Sequence, residues 1–313
     1  MYIKNTLRLF MNNINLGFKA MLYRLIIMIV GLISAYYIAY FGISVISKSA
    51  EISKVIQDLK SLWLMFLGHE DIVVDLQASF TALLSLVRAN LARIIGSLSA
   101  VIVVLFIMDY LLGLCSFTLG AMVNTYMTSL TKTYFIQTFV ANLKKALVFE
   151  LVYSLVKCFA LLISFAIAGC FAIFAYRALS FMSILIGLWL LICLIAVFLS
   201  FTATWRIKVI EGAKISTAIK NSNITKQTFF PIFATYILVI VLIFYVNVSM
   251  FLVTLGAGIM VTVPMSYLLL LCLQNVIEFT LTGRKYYIDY DNIVVPKELR
   301  GEEEKLLSEE VDI

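Results

Sequence analysis

Asp109 and Lys157 are the residues of this chain whose placement most needs a chemical reason. Each interrupts an apolar run long enough to cross a bilayer. There an ionised group is costly unless it meets an opposite charge or lines a polar path. Asp109 is about ten residues from the end of its run, and Lys157 about eleven from the start of the next. At 1.5 Å per residue, both are expected about 15 Å deep. On neighbouring antiparallel helices they would meet as an ion pair. Two roles are open to such a pair: fixing helix packing, or forming a charged step in a solute or proton path.

Other polar residues carry less chemistry. Glu150 stands two helical turns before Lys157 and is expected near the membrane surface, solvated or snorkelling. Glu278 is expected to form a local surface pair with Arg284. Asn247, Gln274 and Asn275 suit interhelical hydrogen bonds. In "GHED" (Gly68–Asp71), His69, Glu70 and Asp71 offer metal-binding atoms but read as a solvated turn. The five cysteines, Cys115, Cys158, Cys170, Cys193 and Cys272, all lie in apolar runs without CxxC spacing, and His69 is the one histidine. They read as small apolar core residues rather than zinc ligands.

No paired carboxylates, HExxH segment or Ser/His dyad occurs at plausible depth. "TLGAGIMVTVP" (Thr254–Pro264) has the glycines of a tight turn but no lysine to hold a phosphate. The expectation is a protein that is not an enzyme, with no metal and no cofactor.

The elements that position these residues follow from composition. The 313-residue chain is 63% hydrophobic and 13% charged, with a mean hydropathy of +1.03. Soluble domains are closer to half apolar and a quarter charged. The excess falls in runs that match the roughly 20 apolar residues of a spanning helix. Six segments qualify: Leu22–Ile46, Ile94–Leu119, Ala146–Ala175, Leu179–Phe201, Phe229–Leu255 and Ile259–Thr282. The first is too long for a signal-peptide core and reads as a span that stays. The predicted fold class is all-α, a polytopic transmembrane helix bundle of about six spans. A transmembrane domain over 1–285 would precede a cytoplasmic, partly disordered tail over 286–313. Within it, 47–93 forms an extracytoplasmic amphipathic insertion with two helices, Ile52–Leu67 and Ile72–Leu91.

Most of the 24 basic residues fall on one side of these spans. That side holds Lys4, Arg8, Lys19 and Arg24 up to the start of the first span, and Lys132, Lys144 and Lys145 before the third. Arg206, Lys208, Lys214, Lys220 and Lys226 precede the fifth, and the tail adds more. The positive-inside rule makes this side cytoplasmic, with both termini there. The net charge of +6 is then a consequence of orientation and not a nucleic-acid signal.

An amphipathic segment precedes the first, third and fifth spans. Leu7, Phe10, Met11, Ile14 and Phe18 share a helical face in the first. Ile136, Phe139, Val140, Leu143 and Leu147 share one in the second. A weaker stripe of Ile215, Ala218, Ile219 and Ser222 marks the third. Each suits a helix in the headgroup layer with its lysines toward anionic lipid. The unit of amphipathic helix plus two spans thus occurs three times, and 47–93 accounts for the longer first interval.

"TWRIKVIEGAKISTAIKNSNITKQTFFPIFATYIL" resembles a segment of bacterial membrane proteins related to the membrane domain of glycerophosphodiester phosphodiesterases. Glu211, Gly212, Ala218, Lys220, Ser222, Thr225, Lys226 and Phe229 match its acidic-glycine pair, small basic helix, polar turn and aromatic span start. Asn223 stands where that family often has tryptophan. About 35 residues carry the likeness, and no catalytic domain accompanies it. The resemblance implies a bacterial plasma-membrane location and a bundle fold more than an activity. The segment is also similar to the coupling loop of ABC importer permeases in its Glu211–Pro231 spacing. Thr217 stands near the position of that loop's glycine.

The expected function is an accessory, scaffold or lipid-interacting protein of the bacterial plasma membrane. Its partners would be membrane lipids with anionic headgroups. Its cytoplasmic interface would comprise Glu211, Gly212, Lys214, Lys220 and Lys226. The alternative is a transporter or ABC-type permease subunit, with an ATPase or other membrane-protein partner.

Overall fold

Apolar stretches this long must satisfy their backbone internally, and the helix is the local solution. The computed structural model describes residues 2–66, 76–179, 181–222, 224–290 and 292–295. The helices in chain order are α1 (Tyr2–Asn12), α2 (Ile14–Ser47), α3 (Ala50–Phe66), α4 (Leu76–Ala89), α5 (Leu91–Ser129) and α6 (Phe135–Leu179). They continue as α7 (Phe181–Thr202), α8 (Trp205–Ile210), α9 (Ile215–Lys220), α10 (Lys226–Val253) and α11 (Ile259–Leu281). A short antiparallel hairpin, β1 (Tyr286–Tyr287) with β2 (Ile293–Val294), pairs Tyr286 with Val294. Helices α2, α5, α6, α7, α10 and α11 are long and apolar enough to cross a membrane. The fold is an all-α polytopic bundle, and the protein is a multi-pass membrane protein.

Two compact units divide the chain. One comprises Met1–Ile26 and Asp109–Ile313, the other Ile27–Met108. In the second unit α2 and α5 pack tightly. A methyl group added at Gly42 would collide with Ser97, and one at Gly31 with Met108. Arg93 stacks over Phe41 with its guanidinium 4.2 Å from the ring centre and donates to the Phe41 carbonyl at 2.9 Å. Helices α3 and α4 belong to this unit, close to the two helices expected for the insertion. His69, Glu70 and Asp71 lie outside the described residues, as do Asn223 and the tail from Pro296 onward.

The first unit is organised around α11. Half of its most apolar window is buried in the protein, against 17% or less for the other five spans. Its one side packs with α1, α2 and α5 through Leu9, Leu119, Met127 and Leu268. Its other side packs with α7 and α10 through Ala196, Ile232, Tyr236 and Leu273. A third cluster joins α5, α6, α8 and α9 through Phe117, Phe149, Val209 and Ala218. Helices α6 and α7 approach closely because Gly187 has no side chain; a methyl group there would lie 3.1 Å from the Ala172 methyl and 3.3 Å from the Ala168 carbonyl. Small residues at such a crossing are the usual membrane packing device.

Two details differ from the sequence expectations, and a third agrees with them. The amphipathic stretch before the third span is the first part of α6 and not a separate helix; at 45 residues α6 is continuous through both. The apolar stripes of the first two repeats lie largely on the outside, where lipid would meet them. Met11 is 63% exposed and Val140 66%, whereas Thr6, Leu9, Asn13, Thr138 and Ala146 turn inward. In lipid the apolar face is the outer one, as expected for a helix in the headgroup layer. The start of the tail is folded: Tyr286 and Ile288 join the α11 core, Asn5 donates to the Tyr286 hydroxyl at 2.9 Å, and Asn12 donates to the Ile288 carbonyl at 3.1 Å. Burial pushes the Tyr286 phenol above its ordinary pKa and keeps it neutral.

Replacing Gly187 with Leu is expected to separate α6 from α7, lowering stability by about 1–3 kcal/mol as overpacking does. Thermal unfolding of the purified protein in detergent measures this. Gly96→Leu, at a position with no neighbouring atom within 4 Å, is the control and should leave the midpoint nearly unchanged.

Candidate functional site: a charged cavity inside the bundle

Asp109 on α5 and Lys157 on α6 meet, with Nζ 2.5 Å from Oδ1. Their side chains are 30% and 27% exposed, so the pair is reached from outside the packed core. Two turns earlier on α6, Glu150 is buried. It accepts a bidentate contact from Arg206 on α8, at 2.8 Å from Nε and 3.2 Å from Nη2. The third arm of that guanidinium, Nη1, donates to Gln274 on α11 at 3.0 Å. Its plane lies 5.0 Å from the Tyr153 ring centre. Both charges thus have an opposite charge and hydrogen bonds, and the guanidinium an aromatic face as well.

Gly113 on α5 makes room for this network. A methyl group there would lie 2.5 Å from Glu150 Oε2. The fork of Arg206 fixes that carboxylate, so it cannot swing aside without losing its partner.

Around both pairs the helices leave a cavity of about 330 Å³. Asp109, Glu150, Lys157, Arg206, Asn247, Ser266 and Gln274 line it, with Ser116, Tyr153 and Tyr267 between apolar residues of α5, α7, α10 and α11. The volume lies at the small end of ligand pockets, which run from about 300 to 1,000 Å³. At its α10–α11 wall, Asn247 donates to Ser266 at 3.0 Å and accepts from Thr262 at 2.7 Å. This is the interhelical role expected of Asn247.

Arg24 of α2 stands beside this wall. It is 1% exposed, one of the largest fully buried side chains. Its Nη2 donates to Ser116 at 3.0 Å and its Nη1 to the Pro264 carbonyl at 3.3 Å, while the guanidinium lies 4.6 Å from the Tyr267 ring centre. Its Nε has no partner.

Four sequence expectations are corrected here. Arg24 and Arg206, read as loop residues that orient the chain, are buried in the bundle. The fourth apolar stretch runs from Met182 to Ile210, so Arg206 falls inside it. Glu150, expected near a solvated surface, is the buried partner of Arg206. Glu278 does not pair with Arg284: it is 1% exposed, and Arg284 reaches Glu211 instead at 2.9 Å. Arg206 is buried together with Ile207 and Val209 in α8, a consequence of packing that no local sequence signal marks.

The residues of the proposed interface divide. Glu211 is engaged by Arg284 and accepts from Asn124 at 3.1 Å. Gly212, with φ at +101°, makes the turn between α8 and α9, where the left-handed conformation favours glycine. Lys208 donates to the Asn221 carbonyl and Thr204 to the Ser222 carbonyl, which ties this segment down. Ala218 packs inward while Lys214, Lys220 and Lys226 are exposed.

Comparison of the chain with protein-family models, with curated proteins and with solved structures found no match. The geometry of the cavity therefore carries the functional reading.

Arg206→Leu leaves Glu150 as an uncompensated buried charge and should cost about 3–5 kcal/mol. The double change Glu150→Leu with Arg206→Leu should recover much of that loss. Asp109→Asn leaves Lys157 without its counter-charge inside the span and should also destabilise, by about 3 kcal/mol. A double-mutant cycle on unfolding midpoints separates these outcomes.

Proposed function

We propose that this protein is a non-enzymatic component of a bacterial plasma membrane that holds an amphiphilic ligand in the cavity between α5, α6, α7, α10 and α11. The observation that carries this reading is the cavity itself. Charged and amide groups share its wall with apolar side chains, the mixed chemistry that a headgroup or small polar-ended molecule meets best. The basic excess on the α1, α8 and α9 side supports cytoplasmic termini. The resemblance of the Glu211–Phe229 segment to bacterial membrane domains supports the bacterial location. On this orientation Lys214, Lys220 and Lys226 face the inner leaflet, where anionic headgroups attract them.

Native mass spectrometry of the detergent-extracted protein is expected to retain one bound amphiphile per chain. Ser266→Trp, which fills the cavity, should lose it. Equal retention by both proteins would place the ligand elsewhere. For orientation, a single cysteine introduced as Lys220→Cys in a cysteine-free background should react with an impermeant maleimide only after cells are opened.

A transporter or permease subunit is a second reading, favoured by one feature: the partly exposed Asp109–Lys157 pair at the cavity. Solute uptake into proteoliposomes that survives combined Asp109→Asn and Lys157→Met would remove the pair from any transport path.

A further inference from the structure

The charges at the cavity do not balance. Asp109 and Lys157 cancel, and so do Glu150 and Arg206. Arg24 is left over. Its near neighbours are the Ser116 hydroxyl, the Pro264 carbonyl, the Tyr267 ring and the Cys115 thiol, all neutral groups. Among the described residues no carboxylate forms an ion pair with it. Glu278, the remaining buried acid of α11, is far away. It lies 14 residues along that helix from Pro264, about 21 Å at 1.5 Å per residue.

A guanidinium taken out of water with neutral contacts alone is a costly arrangement. Ser116 ties Arg24 to the cavity. Its hydroxyl donates to the Leu112 carbonyl, accepts from Arg24, and lines the cavity wall. Tyr267 does the same from α11, with Arg24 against its ring and the cavity beside it. The unpartnered cation therefore stands one residue layer from a space whose wall already holds two further cations.

We infer that the cavity takes a singly charged anion, a carboxylate or phosphate group on a small amphiphile, which supplies the counter-charge Arg24 lacks. This rests on the ligand-holding reading above and adds the sign of the ligand's charge. Ser266 donates to the Thr262 carbonyl and Asn247 to the Ile243 carbonyl and Ser266, so the attraction for an anion comes from the cations around the cavity. The apolar wall accommodates a short chain or the neck of a lipid. About 330 Å³ admits a headgroup or a short-chain acid and not a whole two-chain lipid.

The test uses the full chain in phosphatidylcholine nanodiscs, titrated with sodium octanoate, octyl phosphate, octyl glucoside and inorganic phosphate. Unfolding temperature and native mass spectrometry are the readouts. Octanoate and octyl phosphate should stabilise saturably, with at least about tenfold tighter apparent binding than octyl glucoside, as one buried charge–charge contact supplies. Binding of inorganic phosphate alone would identify a free anion as the source. Competition by added phosphatidylglycerol would identify a lipid headgroup.

Arg24→Gln should weaken octanoate at least about tenfold, and Asp109→Asn, which makes the site more positive, should strengthen it. Octyl glucoside should respond to neither. The opposite signs keep the test decisive even when Arg24→Gln does not fold. Weaker octanoate binding in Asp109→Asn, or equal affinity for anionic and neutral octyl compounds, overturns the anion site and leaves the ligand-holding reading intact. Failure of every octyl compound and of phosphate to bind overturns both.

Discussion

Lipid offers a buried side chain no hydrogen bond, so a charge in this bundle depends on the partners the bundle itself encloses. Glu150 and Arg206 show what that demands. Their bidentate contact draws α6 and α8 together, Gln274 brings α11 to the same guanidinium, and Gly113 lets α5 close over the carboxylate. Four elements converge on one ion pair, and none of them can move alone without exposing a charge to hydrocarbon. The helix crossings of the first unit are fixed by this network as much as by the apolar clusters around it.

The same constraint turns the helices outside in. Polar and small residues such as Thr6, Asn13, Thr138 and Ser200 are buried, while Leu, Ile and Phe cover the outside. The apolar clusters along α11 are then packing between residues that would be equally content in lipid. Their specificity comes from shape, and from the polar links that set register. Asn247 with Ser266 and Thr262 is one such link; Arg284 with Glu211 and Asn124 is another, at the end where α1, α8, α9 and the tail hairpin meet.

The six spans were legible in the sequence because run length and composition are local properties. The meeting of Asp109 and Lys157 was legible as well, since equal depth on antiparallel neighbours leaves few alternatives. The roles of Arg24 and Arg206 were not. Both lie near the ends of apolar runs, where a charge count assigns them to a loop, and only the tertiary packing of α2 and α8 shows that they are inside. The stripes on α1 and α6 were legible too: their apolar face was read toward lipid, and it is the outer one. Amphipathicity identifies two faces, and the solvent decides which one is outward. Leu7, Met11 and Ile136 are exposed for the reason that leucines in water are buried.

Stability by itself does not account for the cavity. Replacing a buried ion pair with apolar residues of similar volume is often neutral or stabilising. A void among packed side chains costs free energy in proportion to its size. A bundle selected only to persist in lipid would have filled the space beside Ser266 and Leu271 and discarded the five charges around it. Both costs are instead carried at one place, where three cations and two carboxylates surround a space lined by amides and hydroxyls. Co-localisation of unfilled volume with imperfectly balanced charge is what a binding site needs before its ligand arrives, and it is the feature of this fold that packing does not explain.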